Sequence, residues 1–352
     1  MEWKKYTDHI QLNGKYQSIK ELDCFQNPFL PKWEQEFCDF LKIWMSEDEN
    51  ISVKTSGSTG KPKSIEIHKN TLMQSALNTA KFFDLKKNND ALLCLPASYI
   101  AGKMMMIRAL VTGMNLYLQK PSSTPLIKKQ YDFCAMTPMQ LENILKSNKN
   151  SLNNLKTLII GGAPVNEYIS KEIDGLETKI YETFGMTETA SHIALKKING
   201  KDKSDYFTVL DNIGIDINQD SCLILKKSNL GVGTIKTNDI IELKDKKHFK
   251  WLGRKDNIIN SGGIKLIPEQ IEKKLKPFIE NDFFIFSIID KKYGQLPAII
   301  IEGNHNLKGK PDFSILNRYE TPKKIYYSDK FIKTSSGKIN RKETLRILGF
   351  LS

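Results

Sequence analysis

The hydrophobic pattern of the chain changes its period repeatedly between residues 64 and 181. Short runs rich in β-forming residues stand at 64–67, 91–95, 115–118, 131–135, 155–160 and 179–181. Stretches with helical spacing of apolar side chains separate them, from about residue 70, near 103–111, after residue 138 and after residue 160. Strands that alternate with helices in this way are typical of an α/β domain around a mainly parallel sheet.

The pattern is different over residues 205–252. Short strand-like runs at 221–225, 233–237 and 249–252 are separated by Gly, Asn and Asp. These runs predict a small antiparallel β region that completes a large N-terminal domain.

The chain restarts as a small α+β domain after Arg254. Pro268 can open a helix, strand-like runs follow at 283–289 and 297–302, and a last helix is predicted after Asn340. We therefore predict two domains, 1–255 and 256–352.

Composition and charge exclude several classes of function. The chain has 352 residues, 40% of them hydrophobic, which is enough for a large core. No apolar run approaches the roughly 18 residues of a membrane span, and the N-terminus lacks the apolar core of a secretory signal, so we expect a cytoplasmic protein. The net charge is +13, but the lysines are spread along the chain among acidic residues. A nucleic-acid partner is therefore not predicted.

The stretch 55–63 has the composition of a phosphate-binding loop. Gly57 and Gly60 allow the backbone N–H groups to approach an anion, and hydroxyls and lysines add donors and positive charge. The spacing does not match the Walker pattern, because only two residues separate the glycines. The residues that we assign to this loop are Thr55, Ser56, Gly57, Ser58, Thr59, Gly60 and Lys63.

Further motifs follow the loop in a fixed order, at 161–164, 181–188, 237–239, 253–256 and 336–339. The loop and this series closely resemble the adenylate-forming, AMP-binding superfamily of acyl-CoA synthetases. The resemblance covers roughly residues 50–345, and the segment before the loop is shorter than is usual in the family. It implies an acid–thiol ligase that uses ATP and Mg²⁺, with CoA as co-substrate.

The resemblance also assigns roles in the first half-reaction, in which ATP activates a carboxylic acid. The loop would hold the β- and γ-phosphates, Glu188 would bind Mg²⁺, and Thr187 would contact the α-phosphate. Asp239 would accept the ribose hydroxyls, Arg254 would contact ribose and phosphate, and Lys338 would be the mobile catalytic lysine. The residues expected to frame the nucleotide are Gly161, Gly162, Ala163, Pro164, Phe184, Gly185 and Met186.

The resemblance implies a hinge for the second half-reaction. The C-terminal domain would rotate about Asp256, remove Lys338 from the site and present residues 260–265 to the acyl-adenylate. Gly262 and Gly263 would leave room for the pantetheine arm of CoA.

The segments 186–193 and 258–263 resemble the o-succinylbenzoate–CoA ligases of menaquinone biosynthesis. This resemblance places Ser191 and His192 against the acyl group. Tyr99, Lys103 and Arg108 belong to a segment that lines the acyl pocket in the family, although Tyr99 stands where His is common. We hypothesise that Lys103 or Arg108 pairs with the distal carboxylate.

Other functions stay open at this point. They are a ligase for another aromatic or short-chain carboxylic acid, an adenylation module that loads a carrier protein, a non-catalytic AMP-binding regulatory protein and, last, a nucleic-acid binder. Intact Glu188, Asp239, Arg254 and Lys338 argue against loss of catalysis. The sequence leaves the oligomeric state open, a homo-oligomer included.

Overall fold

A computed structural model describes residues 2–25, 27, 29–54, 64–226, 231, 233–303, 311–334 and 338–351. The predicted phosphate loop, 55–63, lies outside the described residues. The chain forms two compact units. The first contains most of residues 2–215 and the described part of 225–235, and the second contains 216–224 and the described residues from 236 onward.

The first unit contains five α-helices among its described residues. They are α1 (Lys32–Met45), α2 (Lys69–Phe83), α3 (Ile100–Thr112), α4 (Pro138–Asn148) and α5 (Glu167–Glu172). Its strands are β1 (His9–Leu12), β2 (Lys15–Ser18), β3 (Asn50–Lys54), β4 (Ser64–His68), β5 (Asp90–Leu93), β6 (Asn115–Leu118), β7 (Tyr131–Met136), β8 (Leu155–Ile160), β9 (Lys179–Gly185), β10 (His192–Lys197) and β11 (Phe207–Val209).

Nine of these strands form the main sheet of the unit, in the order β2-β1-β6-β5-β7-β8-β9-β10-β11. The central pairs, from β1–β6 to β8–β9, are parallel. Antiparallel pairs close both ends. The predicted α/β class with a mainly parallel sheet is confirmed. Strand β4 differs from the prediction, because it pairs with β3 in a separate antiparallel hairpin.

The N-terminal fifty residues support this unit through an aromatic cluster. The rings of Trp3 and Trp44 meet edge to face at 5.9 Å, and both are buried. The ammonium of Lys69 is also buried, 4.1 Å from the Trp3 ring centre. It donates to the carbonyl oxygens of Trp44 and Ser46, at 3.0 and 2.8 Å. The C-terminal end of α1 is thereby fixed to the start of α2.

A helix cap and a glycine position helices α4 and α3 beside the edge of the sheet. Thr137 caps α4, because its hydroxyl accepts from the Gln140 N–H at 3.2 Å and the Gln140 side chain accepts from the Thr137 N–H at 3.0 Å. Helix α3 packs close to the chain before it, since a Cβ on Gly102 would lie 2.1 Å from the carbonyl oxygen of Pro96. Glycine is the residue that fits this position.

The second unit is built from strands of three to nine residues and, among its described residues, two α-helices. Its elements are β14 (Ile235–Leu243), β15 (His248–Arg254), β16 (Ile259–Ser261), β17 (Ile264–Leu266), α6 (Pro268–Leu275), β18 (Phe283–Asp290), β19 (Gly294–Glu302), β20 (Ile325–Ser328) and α7 (Arg341–Ile347). Strands β12 (Gly214–Ile217) and β13 (Cys222–Lys226) lie where the chain passes between the units. Strands β14 and β15 pair in antiparallel fashion, as the predicted small β region requires.

The sheet of the second unit carries a core on each face. Strands β18 and β19 pair along their length, so successive side chains point to opposite faces. Phe283 and Ile285 pack with α6, whereas Phe284 and Phe286 pack with Leu345 of α7. Strand β20, which the sequence pattern did not predict, pairs in parallel with β19. Within the described residues, no helix is long and apolar enough to cross a membrane.

Candidate active site

The predicted nucleotide motifs follow neighbouring strands at the carboxyl edge of the main sheet. Strand β8 ends at Ile160 and is followed by residues 161–164, and the parallel strand β9 ends at Gly185. The Gly161 N–H donates to the Met136 carbonyl at the end of β7, at 3.2 Å. Gly162 and Pro164 are exposed, whereas Gly161 and Ala163 are half-buried. The edge therefore offers open backbone at three adjacent strand ends, where ligands of such sheets bind.

A tight turn after β9 presents Thr187 and Glu188. The buried hydroxyl of Thr189 lies 2.9 Å from the Met186 carbonyl and 2.8 Å from the Ser191 carbonyl, and it also accepts from the Met186 N–H at 3.1 Å. Ala190 follows with a φ of +64°, an uncommon conformation for a residue with a side chain. Thr189 and the unusual backbone at Ala190 together fix the shape of the turn.

Glu188 is exposed at this turn and Thr187 is half-buried. Within the described parts of the chain, no three His, Cys, Asp or Glu side chains form a group that could hold a metal ion. A single carboxylate fits Mg²⁺ that is held mainly by phosphate oxygens and water. Phe184 lies just before the turn with its ring 5.6 Å from the ring of Phe207.

A buried polar cluster joins α2, α3 and the start of β10. A guanidinium N–H of Arg108 donates to the Ser191 hydroxyl oxygen at 3.0 Å. The Ser191 oxygen lies 3.3 Å from His192 Nδ1, and His192 Nε2 lies 3.0 Å from the Thr79 hydroxyl oxygen. Three of the predicted acyl-site residues therefore meet in one cluster. Thr79 is an addition, and no sequence pattern distinguishes it from other polar residues of α2.

Arg108 is a buried cation without an internal counter-charge. It is 2% exposed, and its Nε–H has no hydrogen-bond partner in the part of the chain that the structure describes. Among the described residues, no carboxylate lies within ion-pair distance of it. Burial lowers its pKa to about 9. Because a buried, unpaired charge is costly, the arrangement is suited to an anionic ligand.

Lys103 and Tyr99 lie apart from this cluster. The Lys103 ammonium lies 5.9 Å from the ring centre of Phe40 on α1, and burial, opposed by Glu36, lowers its pKa. Tyr99 is the residue before α3 and is 55% exposed. Lys103 and Arg108 are five residues apart on the helix, so they point to different sides. Of these two cations, Arg108 is the one that contacts Ser191.

In the second unit, Asp239 and Arg254 form a hydrogen-bonded pair on neighbouring strands. Arg254 donates to Asp239 at 3.3 Å and to Asp256 at 2.9 Å, and the Trp251 indole N–H donates to Asp239 at 3.0 Å. Burial opposes the charge of Arg254, but the two carboxylates outweigh it and raise its pKa. Asn238 donates to Asp256 at 3.1 Å. Arg254 thus links the predicted ribose acid to the predicted hinge residue.

The backbone of Lys338 is held beside a short antiparallel bridge between Lys333 and Ile339. Its carbonyl accepts from the Thr334 N–H at 2.8 Å. Desolvation, followed by the positive charges of Arg254 and Arg341, lowers the pKa of its ammonium. Residues 335–337 lie outside the described residues.

Arg341, three residues after Lys338, is held by two acids of α6 whose side chains are 8% and 15% exposed. It donates to Glu272 at 2.6 Å, and a second nitrogen lies 3.8 Å from Glu269. Burial raises the pKa of Glu272, although Arg341 acts in the opposite direction. This ion-pair group ties the start of α7 to α6. Its three residues lie outside the predicted motifs.

Gly262 and Gly263 form the two-residue turn between β16 and β17. Their φ angles are +56° and +86°, which a tight turn of the primed type requires at both positions. The Gly262 N–H donates to the Tyr293 carbonyl at 2.9 Å. Both glycines are exposed.

The AMP-binding enzyme family model matches residues 51–229 of this chain. A 2-succinylbenzoate–CoA ligase of Listeria monocytogenes is 26% identical over an alignment of 373 positions, which covers 96% of this chain and 76% of the relative. The corresponding ligase of Lactococcus lactis is also 26% identical, over 96% of this chain and 83% of its own length.

Solved structures are similar over most of the chain. An AMP-forming acyl-CoA synthetase-like protein of Dyadobacter fermentans is 33% identical with a TM-score of 0.63, over 93% of this chain and 97% of that one. The o-succinylbenzoate coenzyme A synthetase of Bacillus subtilis, in complex with ATP and magnesium ion, has a TM-score of 0.70. It is 19% identical over 86% of this chain and 74% of its own, which shows the fold alone. On the family match and the Dyadobacter similarity, the chain belongs to the AMP-binding enzyme family.

Proposed function

We propose that this chain is an AMP-forming acid–CoA ligase that converts o-succinylbenzoate, ATP and CoA into o-succinylbenzoyl-CoA, AMP and pyrophosphate. Family membership and relatives named 2-succinylbenzoate–CoA ligase support this reaction. The observation in this chain that carries the choice of acid is the buried, unpaired Arg108 beside Ser191. The substrate has two carboxylates, so one can be activated while the other binds a fixed cation.

The proposed reaction has two steps. A carboxylate oxygen of the acid attacks the α-phosphorus of ATP, pyrophosphate leaves, and an acyl-adenylate forms. The CoA thiol then loses its proton and attacks the acyl carbon, and AMP leaves. Mg²⁺ would supply positive charge to the phosphate oxygens.

The residues of the first unit would bind the phosphates and the adenine. We assign the β- and γ-phosphates to the loop 55–63, Mg²⁺ to Glu188 and the α-phosphate to Thr187. Residues 161–164 and 184–186 would frame the adenine, where exposed backbone and the half-buried Phe184 are available.

The second unit would bind the ribose and supply the catalytic lysine. A carboxylate offers about four acceptor positions. Trp251 and Arg254 each use one on Asp239, so the remaining positions can accept the two ribose hydroxyls. Lys338 would neutralise charge on the α-phosphate and the attacking carboxylate, as a compact ammonium can.

Rotation about Asp256 would exchange Lys338 for residues 260–265 between the two steps. Arg254 already binds Asp256, and this ion pair is the contact that such a rotation would alter. The turn Gly262–Gly263 would then pass beside the pantetheine arm of CoA.

Arg108 would receive the carboxylate that is not activated. It has a free Nε–H inside the protein and no competing acid among the described residues. We propose Arg108 rather than Lys103, because Lys103 faces α1. The Lys103→Ala variant is therefore the matched control for a variant of Arg108.

The proposed pathway is menaquinone biosynthesis, and the proposed location is the cytoplasm, where ATP and CoA are available. Homo-oligomerisation stays a prediction. A ligase for another aromatic or short-chain acid would use the same nucleotide residues, so the acid panel below decides between the two.

The test is pyrophosphate release from ATP and Mg²⁺ with o-succinylbenzoate, benzoate, coumarate and a medium-chain fatty acid, each with and without CoA. We expect release and thioester formation with o-succinylbenzoate, and loss of both in a Lys338→Ala variant. Turnover of another acid alone would refute the proposed substrate but keep the reaction. No release with any acid would refute the proposed enzyme activity.

A further inference from the structure

The hydroxyl of Thr79 lies within hydrogen-bond distance of both the Ser75 carbonyl oxygen and the His192 ring. Thr79 Oγ1 lies 3.0 Å from the carbonyl oxygen of Ser75, one helical turn earlier, and 3.0 Å from His192 Nε2. A hydroxyl has a single proton, and a carbonyl oxygen can only accept. The Thr79 hydroxyl donates this proton in its hydrogen bond to the Ser75 carbonyl oxygen. Thr79 Oγ1 must then accept a hydrogen bond from His192 Nε2–H.

This assignment sets the direction of the remaining bonds. A neutral imidazole with its proton on Nε2 offers Nδ1 as an acceptor. Ser191 Oγ lies 3.3 Å from Nδ1 and therefore donates its proton there. The same oxygen accepts from Arg108 at 3.0 Å. Every hydroxyl and imidazole proton of the cluster then has an acceptor.

We propose that Thr79 is a positioning residue that holds His192 as the Nε2–H tautomer and thereby keeps the Ser191 hydroxyl oxygen available to Arg108. The bond to Ser191 fixes one guanidinium nitrogen, so the unpartnered Nε–H of Arg108 keeps a defined position for the carboxylate of the acid. The proposal rests on the proposed function for its effect on the acid, but the tautomer itself does not depend on it.

The opposite tautomer has a different hydrogen-bond pattern. With the proton on Nδ1, His192 would donate to Ser191, whose oxygen would then accept from both His192 and Arg108. The Ser191 proton would have no acceptor within the described cluster. Ser191 is half-buried, and leaving its hydroxyl unpaired beside the buried Arg108 and His192 costs free energy, so the Nε2–H tautomer is favoured.

The choice between the two tautomers matters because the His192 ring is uncharged at neutral pH. The ring is buried, and desolvation together with the neighbouring Arg108 lowers its pKa well below the usual value. His192 is therefore neutral at pH 7, and the position of a single proton decides the pattern. Arg108 from α3, Thr79 from α2 and Ser191 on its own turn are the groups that face it in the described contacts.

The first test uses the wild-type protein without substrate. Long-range ¹H–¹⁵N spectra distinguish a protonated from an unprotonated ring nitrogen for each of the five histidines, and a His192→Gln variant assigns the signal. We expect protonated Nε2 and unprotonated Nδ1. A signal with the proton on Nδ1 would overturn the proposal, whatever acid the enzyme uses.

The second test compares two variants of one position. Thr79→Val removes the hydroxyl at nearly constant volume, and we expect the Nδ1–H tautomer and a five- to tenfold higher KM for o-succinylbenzoate, as for one lost hydrogen bond, with the KM for ATP unchanged. Thr79→Ser keeps the hydroxyl and is expected within about twofold of wild type in both constants.

Equal effects of the two variants, or a Val variant with the wild-type tautomer, would contradict the proposal. If the Val variant does not fold, the wild-type spectrum and the Ser variant decide. Lack of turnover with o-succinylbenzoate would refute the proposed function but leave the tautomer measurement valid.

Discussion

Arg108→Met is expected to stabilise the free protein and to impair use of the acid. Methionine fills similar volume without charge, in a helix that already contains Met104, Met105 and Met106. The lowering of the Arg108 pKa to about 9 corresponds to about 5 kcal/mol against the buried charged form. Burial alone causes this shift.

The gain in the free energy of unfolding should be smaller than this value of about 5 kcal/mol. Local relaxation reduces the cost of the buried charge, and the variant loses the bond to Ser191, which contributes about 1 kcal/mol. We expect the free energy of unfolding to rise by about 1–3 kcal/mol. Urea unfolding measures this as a higher midpoint with an unchanged m-value.

The same variant should lose the stabilisation that the acid gives to wild type, because the ligand's carboxylate no longer has a partner. Lys103→Ala is the control and should keep it. An Arg108→Met protein that is less stable than wild type by more than about 1 kcal/mol would refute the reasoning, since Arg108 would then have a structural partner.

Three further predictions concern stability. Desolvation lowers the pKa of Lys69 from 10.5 to about 8, so below pH 8 both folded and unfolded chains carry this proton, and between pH 8 and 10.5 only the unfolded chain does. The free energy of unfolding of wild type, relative to that of a Lys69→Met variant, should therefore rise over this pH range by at most about 3 kcal/mol. Chemical unfolding of both proteins at successive pH values measures this difference. A difference that stays constant with pH would contradict the prediction. Arg341→Met should cost about 3–5 kcal/mol because it leaves Glu272 buried without its cation, and an Arg341→Met, Glu272→Gln double variant should recover part of this loss in the same assay. Gly102→Ala should lower the thermal midpoint by several degrees, because the added Cβ would clash with the backbone of Pro96. Gly233→Ala is the control and should leave the midpoint unchanged, because its Cβ would meet no described atom within 4 Å. Equal midpoints of the two variants would contradict the close packing of α3.

The sequence predicted the architecture where the hydrophobic period was clear. The parallel strands β5, β7 and β8 have nearly continuous apolar runs, and they lie within two residues of their predicted positions. Strand β9 is more polar and extends four residues beyond the predicted 179–181. Strand β20 was missed because its four residues, Ile325–Ser328, carry no turn signal or alternation of their own. Its pairing with β19 depends on tertiary contact, as short strands commonly do.

The roles of the acyl-site residues also depend on tertiary contacts that the local sequence does not show. Spacing put Lys103 and Arg108 on one helix as equal candidates, and only their neighbours, Phe40 and Ser191, separate them. A single cation in the apolar run 104–111 was an available signal for burial. The contact of Thr79 with His192 joins residues 113 apart, so no local pattern could predict it.

The central claim is that Arg108 binds the second carboxylate of o-succinylbenzoate. It is tested most directly by kcat/KM for o-succinylbenzoate and for 4-oxo-4-phenylbutanoate, which lacks the ring carboxylate, in wild type and in Arg108→Met. We predict that wild type prefers o-succinylbenzoate by about 100-fold, as expected for loss of a charged hydrogen-bond partner, and that the variant shows a ratio near one. The same large preference in both proteins would contradict the claim.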